Sequence, residues 1–188
     1  MKRLPFILLG LFISFCACKR MCPAYPTDQI EYAYAPFKYG GSVLTYRSTD
    51  GSSIINFKCS VPIFSESNKQ PYCAKCACEM SAEQILQSDS DSSTIHYTHS
   101  ITSIGDDHME QTGLYYITGM IGKIPIKGKG GGYWRNDEHL PEWTSADGTR
   151  YENVYHLVPE DDGTALYLAP GYGIVQIETA GKTYCLKP

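Results

Sequence analysis

Turn signals cut this sequence into short pieces, and that limits the folds open to it. Asp50-Gly51, the glycine-rich run from Lys127 to Gly132, Pro170-Gly171 and Ala180-Gly181 leave little room between them for long amphipathic helices. Nine segments between such signals read as strands: 42–48, 54–64, 94–103, 113–120, 123–129, 150–158, 164–169, 172–179 and 182–187. Pro62 confines the second of them to a sheet edge or to its own end. In 150–158 the alternation predicts Tyr151, Asn153, Tyr155 and Leu157 on one side. Ser81-Ala82-Glu83-Gln84 has capping-box form ahead of Ile85 and Leu86, which predicts one short helix. Residues 88–93 read as a solvated loop. Fifteen Tyr, 17 Gly and 11 Pro in 188 residues fit strands and turns better than a helical bundle. The expectation is an all-β chain: an antiparallel β-sandwich or curled half-barrel of about nine strands with at most one short helix.

The N-terminus has a separate character. Lys2 and Arg3 precede an almost wholly apolar run, 4–15. Twelve helical residues span about 18 Å, short of the roughly 20 residues that a membrane span needs. The run reads as the apolar region of a signal peptide. Phe15-Cys16-Ala17-Cys18 then resembles the lipobox of bacterial lipoproteins. That resemblance implies a diacylglycerol on Cys18, which becomes the mature N-terminus; Cys16 fits less well because bulky Phe15 precedes it. The expected organisation is a signal peptide over 1–17, a lipidated tether over 18–35 and a single β domain over 36–188.

Eight cysteines fit an exported protein better than a cytosolic one. Cys22, Cys59, Cys73, Cys76, Cys78 and Cys185 are disulfide candidates, with fifteen possible pairings among six. Cys73-Ala74-Lys75-Cys76-Ala77-Cys78 also packs three thiols closely enough to suggest a thiolate metal site, with Cys59 or a histidine as fourth ligand. An oxidising compartment favours the disulfides. No partner can be assigned to Cys22 or Cys185 from spacing.

Other chemistry is thin. Sixteen Lys and Arg against 20 Asp and Glu, a net charge of −4, argue against nucleic acid, whose phosphates need a basic face. Lys127-Gly128-Lys129-Gly130-Gly131-Gly132 lacks the Gly-Lys-Ser/Thr of a phosphate loop and reads as a hairpin tip or bend. Asp106-Asp107-His108-Met109-Glu110 reads as a polar loop without a calcium pattern. His96 and His99, three apart on a strand, face opposite ways. Neither G-x-S-x-G nor H-E-x-x-H occurs, so no catalytic residue and no cofactor is nominated. Tyr133, Trp134 and Trp143 are the candidates for an aromatic ligand platform, or else for a cover over the open end of a sandwich.

Motifs near both ends carry a further resemblance. Tyr34-Ala35-Pro36-Phe37-Lys38-Tyr39-Gly40-Gly41, Gly148-Thr149-Arg150-Tyr151-Glu152-Asn153 and Leu168-Ala169-Pro170-Gly171-Tyr172-Gly173-Ile174-Val175 resemble a group of Bacteroides-type envelope lipoproteins. Those look like curved antiparallel sheets related to half-barrel carriers of acyl chains. The resemblance implies an exported, outer-membrane lipoprotein, periplasm-facing or surface-exposed. Its expected partners are the membrane, through the lipid, and a hydrophobic ligand or another envelope protein. A cavity lined by 154–158 and 174–177 would mark a carrier; a filled core with an exposed aromatic patch would mark a structural or assembly component of a surface complex.

Overall fold

The computed structural model describes residues 22, 24–27, 33–68, 78–90, 92–104, 108–121, 124–130, 137–158, 165–179 and 181–187. Among these, one short 3-10 turn, Phe37–Tyr39, is followed by twelve strands. They are β1 (Val43–Ser48), β2 (Ile54–Cys59), β3 (Ile63–Asn68), β4 (Cys78–Ser88), β5 (Thr94–Ile104) and β6 (His108–Ile121). The rest are β7 (Ile124–Gly130), β8 (Asp137–Thr144), β9 (Arg150–Leu157), β10 (Ala165–Ala169), β11 (Gly173–Glu178) and β12 (Thr183–Lys187). All pairings are antiparallel, in the order β7-β6-β5-β4-β2-β1-β12-β11-β10-β9-β8, with β3 added on β4. No helix among the described residues is long and apolar enough to cross a membrane.

The all-β expectation holds, with differences that have local causes. The expected helix is the middle of β4. Cys78, Met80, Ala82, Gln84, Leu86 and Ser88 are all buried, alternating with more exposed neighbours. Period two wins over the capping box because β4 has pairing partners on both sides. The first half of β4 pairs β3 and its last residues pair β2, while β5 runs along the whole opposite edge. The expected strand 54–64 is two strands, broken at Ser60-Val61-Pro62, where the chain crosses from one partner position on β4 to the next. The expected strand 123–129 is β7, which continues through Gly130 and pairs with β6, so the bend read into 127–132 does not begin before residue 131. Residues 108–110, read as loop, open β6. β8 was not expected, since Pro141 and its charged neighbours mask the pattern.

The sheet does not close, but it curls. Tyr97 on β5 reaches β11, although four strands lie between them in the sheet order. The inner faces form one core that includes Tyr46, Phe57, Met80, Tyr97, Leu166 and Ile177. Tyr46 and Phe57 meet edge to face at 5.9 Å. The main chain of Ile174 is held twice in this interior. Its N–H donates to the Tyr97 hydroxyl at 3.2 Å, and its carbonyl accepts from the Tyr46 hydroxyl at 2.8 Å.

The motifs near the two ends of the sequence meet in space. β1 pairs β12 from Thr45–Lys187 to Ser48–Tyr184. The Gly171 N–H donates to the Ala33 carbonyl at 2.6 Å. Gly173 has φ +73°, and a Cβ there would lie 2.7 Å from Pro36 Cδ and 3.0 Å from the Tyr97 hydroxyl. Gly51, in the β1–β2 turn, has φ +72° with open space around it. The two glycines separate backbone strain from crowding. Gly51→Ala is expected to cost about 1–2 kcal/mol from the left-handed backbone alone. Gly173→Ala adds about 1–3 kcal/mol of overpacking, so its urea midpoint should fall clearly further than that of Gly51→Ala. Equal shifts would mean that Pro36 and Tyr97 give way freely.

Candidate functional site

The described residues of the expected tether, 22, 24–27 and 33–35, make contacts with the body. Cys22 forms a disulfide with Cys78 at the start of β4, closing a loop of 56 residues in sequence separation. Tyr25, Ala33, Ala35 and Phe37 are buried. The Tyr25 ring lies 5.2 Å from Phe64 of β3, and its hydroxyl shares a hydrogen bond with His99 Nδ1 on β5. Tyr34 donates to the Asn153 carbonyl at 2.8 Å and packs edge-on against Tyr155. The described residues here therefore touch β3, β4 and β5 through Cys22 and Tyr25, and β9 and the β10–β11 turn through Tyr34 and Ala33. Ala33 and Ala35 have side chains small enough to fit under the curled sheet.

The cysteines separate into distinct environments. Cys78 is bonded to Cys22, so it supplies no thiolate to a metal. Cys59 and Cys185 were disulfide candidates and are instead buried free thiols. Burial pushes the Cys59 thiol up to about 11. Burial also raises Cys185, which donates weakly to Gln176 Oε1 at 3.5 Å. Thiols so raised are poor nucleophiles. Cys18, Cys73 and Cys76 lie outside the described residues. Among the described residues, no group of three or more His, Cys, Asp or Glu comes together as a metal site.

Trp143 is the one platform candidate among the described residues; Tyr133 and Trp134 lie outside them. Trp143 stacks on Tyr167 at 4.2 Å, and Tyr167 stacks on His156 at 4.4 Å, with planes within 13° and 10°. Trp143 also lies beside Tyr151, whose ring meets Tyr172 edge-on. Lys38 Nζ lies 3.9 Å over the Tyr172 ring. Tyr167 sits between buried Leu166 and Leu168, so it points to the outer face of the sheet.

The β8–β9 hairpin is what brings Trp143 there. β9 pairs β10 only through Tyr155–Leu157, and it departs at Asn153, whose φ is +54°. Asn tolerates this conformation better than most side chains. The expected face of Tyr151, Asn153, Tyr155 and Leu157 is broken there: Tyr151, Val154 and Leu157 are the buried residues. Beyond the bend the hairpin folds over the outer face. The Ala146 N–H donates to Gln176 Oε1 at 2.7 Å, and Lys187 pairs with Asp147 at 2.5 Å. Burial pushes the Asp147 carboxyl up, but hydrogen bonds from Lys187, Ser145 and Thr149 outweigh it and hold it well below the usual range. Gln176 and Cys185 are thereby buried on a face that would otherwise meet solvent.

An apolar corner is left uncovered. Val61 and Ile63 are 70% and 66% exposed, and Ile85 beside them is 42% exposed. The backbone of Ser60 bonds that of Ile85 at 2.8 Å, so the corner is tied to β4 and not a loose loop. Among the described residues β3 pairs only β4, leaving its other edge open. Charge and aromatic content do not reveal this corner in the sequence; the signal available is Val61-Pro62-Ile63-Phe64, an apolar run interrupted by a residue that cannot join a central ladder.

Compared with protein-family models, curated proteins and solved structures, the chain has no match.

The seat of Tyr25 has a pH signature. Burial holds His99 down to about 4 and pushes Tyr25 up to about 12. Unfolded His99 takes a proton near pH 6.5 that the folded protein refuses until about pH 4. Stability from this source is constant above pH 6.5 and falls as pH drops through that window, by about 3 kcal/mol in all. Urea unfolding at pH 7 and pH 4 should show that much greater loss in the wild type than in His99→Gln. Equal losses would place the pH dependence elsewhere.

Proposed function

We propose that the protein is a lipid-anchored component of the cell envelope, attached through an acylated Cys18. Its β domain binds an apolar or amphipathic partner surface at the β2–β3 corner and has no catalytic role. The observation that carries this reading is the contrast, among the described residues, between a closely packed inner face around Ile174 and an exposed apolar corner. Val154, Leu157, Ile174, Val175 and Ile177 are all buried, packed with Tyr46 and Tyr97 from the opposing strands. An acyl-chain carrier needs that volume empty. Large apolar side chains at Val61, Ile63 and Ile85, by contrast, are left facing outward. The Cys22–Cys78 bridge favours an oxidising compartment, as the apolar leader and the lipobox-like Phe15-Cys16-Ala17-Cys18 do.

A carrier role is the second reading, favoured by the resemblance of the end motifs to envelope lipoproteins of half-barrel type. Native, non-reducing intact mass of protein extracted from its own membranes separates the two. A chain starting at acylated Cys18, lighter by about 2 Da for the bridge and free of further mass, is the expected result. A stoichiometric hydrophobic passenger beyond the acyl chains would replace surface binding with carriage.

A further inference from the structure

We infer that the β3 edge and its corner form the surface through which the anchored protein rests on the bilayer that holds its own acyl chains. The inference rests on the lipid-anchor reading and adds an orientation to it. Three residues, Lys19, Arg20 and Met21, separate Cys18 from Cys22. Four steps of fully extended chain reach about 14 Å at most. Part of that reach is taken up by the headgroup layer, since a bilayer of about 40–45 Å has a hydrocarbon core of only about 30 Å. Cys22 is covalently fixed to Cys78, so the domain cannot swing away on a long leash.

The structure also determines which part of the domain is delivered. Cys78 lies opposite Asn68 in the β3–β4 ladder. Three residues after Cys22, Tyr25 packs against Phe64 of the same strand. The path from the lipid therefore leads onto β3 first. From Asn68 the strand runs about 17 Å to Ile63 at the usual rise per residue. There Ile63 and Val61 stand exposed from one face, and Phe64, 41% exposed, from the other. An edge with apolar side chains on both faces suits shallow insertion among headgroups better than docking on a flat protein surface. Lys19 and Arg20, between anchor and bridge, favour an anionic leaflet. A second copy of the chain, adding its own β3 across the open edge, is the competing occupant.

The test uses acylated full-length mature protein in vesicles of phosphatidylethanolamine and phosphatidylglycerol, compared with a soluble Cys18→Ser form. Hydrogen exchange is followed by mass for peptides covering 60–68 and, as control, 137–144 at the far end of the strand order. The expected result is exchange slowed about tenfold or more over 60–68 in the vesicle-bound protein, with 137–144 unchanged. Acylated, vesicle-bound protein with unchanged exchange over 60–68 would overturn the orientation and leave the anchor standing. A mass without acyl on Cys18 would overturn both. A Cys18→Ser protein that sediments as a dimer, and as a monomer once Ile63→Lys is added, would assign the edge to a second copy and overturn the membrane contact.

Discussion

Two buried tyrosine hydroxyls converge on the main chain of one residue, and the curl of the sheet depends on them. Tyr46 reaches the Ile174 carbonyl from β1, and Tyr97 reaches the Ile174 N–H from β5. All three residues are essentially inaccessible to solvent. A buried hydroxyl or amide without a partner costs about 1–3 kcal/mol, so the pair fixes how far the two halves of the sheet close on each other. A more open or more closed curl would strand these groups. The register shift between β10 and β11 lies close by, at Tyr167/Leu168, where a local irregularity bends the strand toward its partners.

The opening segment then completes what the curl begins. Ala33 and Ala35 are small enough to lie under the sheet, Pro36 fills the space that Gly173 leaves, and Ala33 accepts from Gly171. The Ala-Pro-Gly-x-Gly-x-Val motif is thus one half of a docking joint whose other half is the Tyr-Ala-Pro-Phe stretch near the opposite end of the chain. Of the aromatic platform candidates, Trp143 is the one among the described residues, and its contacts are with the fold's own rings. Trp143 lies against Tyr167 on the outside of the sheet, where the β8–β9 hairpin covers Gln176 and Cys185.

Most strands were legible because their apolar residues alternate between turn signals, as in 42–48 or 172–179. β4 was not, since its buried row includes polar Gln84 and Ser88 and small Ala82, which hide the period. β8 was hidden by Pro141 and by charges that stay exposed on a hairpin lying over the sheet. The bend at Asn153 is a single-residue backbone event, and nothing in local hydrophobicity announces it. Among the cysteines, spacing could not pair Cys22 with Cys78, because the partner is selected by β4 meeting the opening segment across the fold. The exposed corner was equally silent, since burial of Val61 and Ile63 depends on which strands surround β3.

β12 sits in the middle of the sheet order, between β1 and β11. Until it emerges from the ribosome, the strands β1 to β7 and the strands β8 to β11 have no ladder joining them. A chain built this way stays open through most of its synthesis, and the ladder that joins its two halves forms only when residues 183–187 arrive.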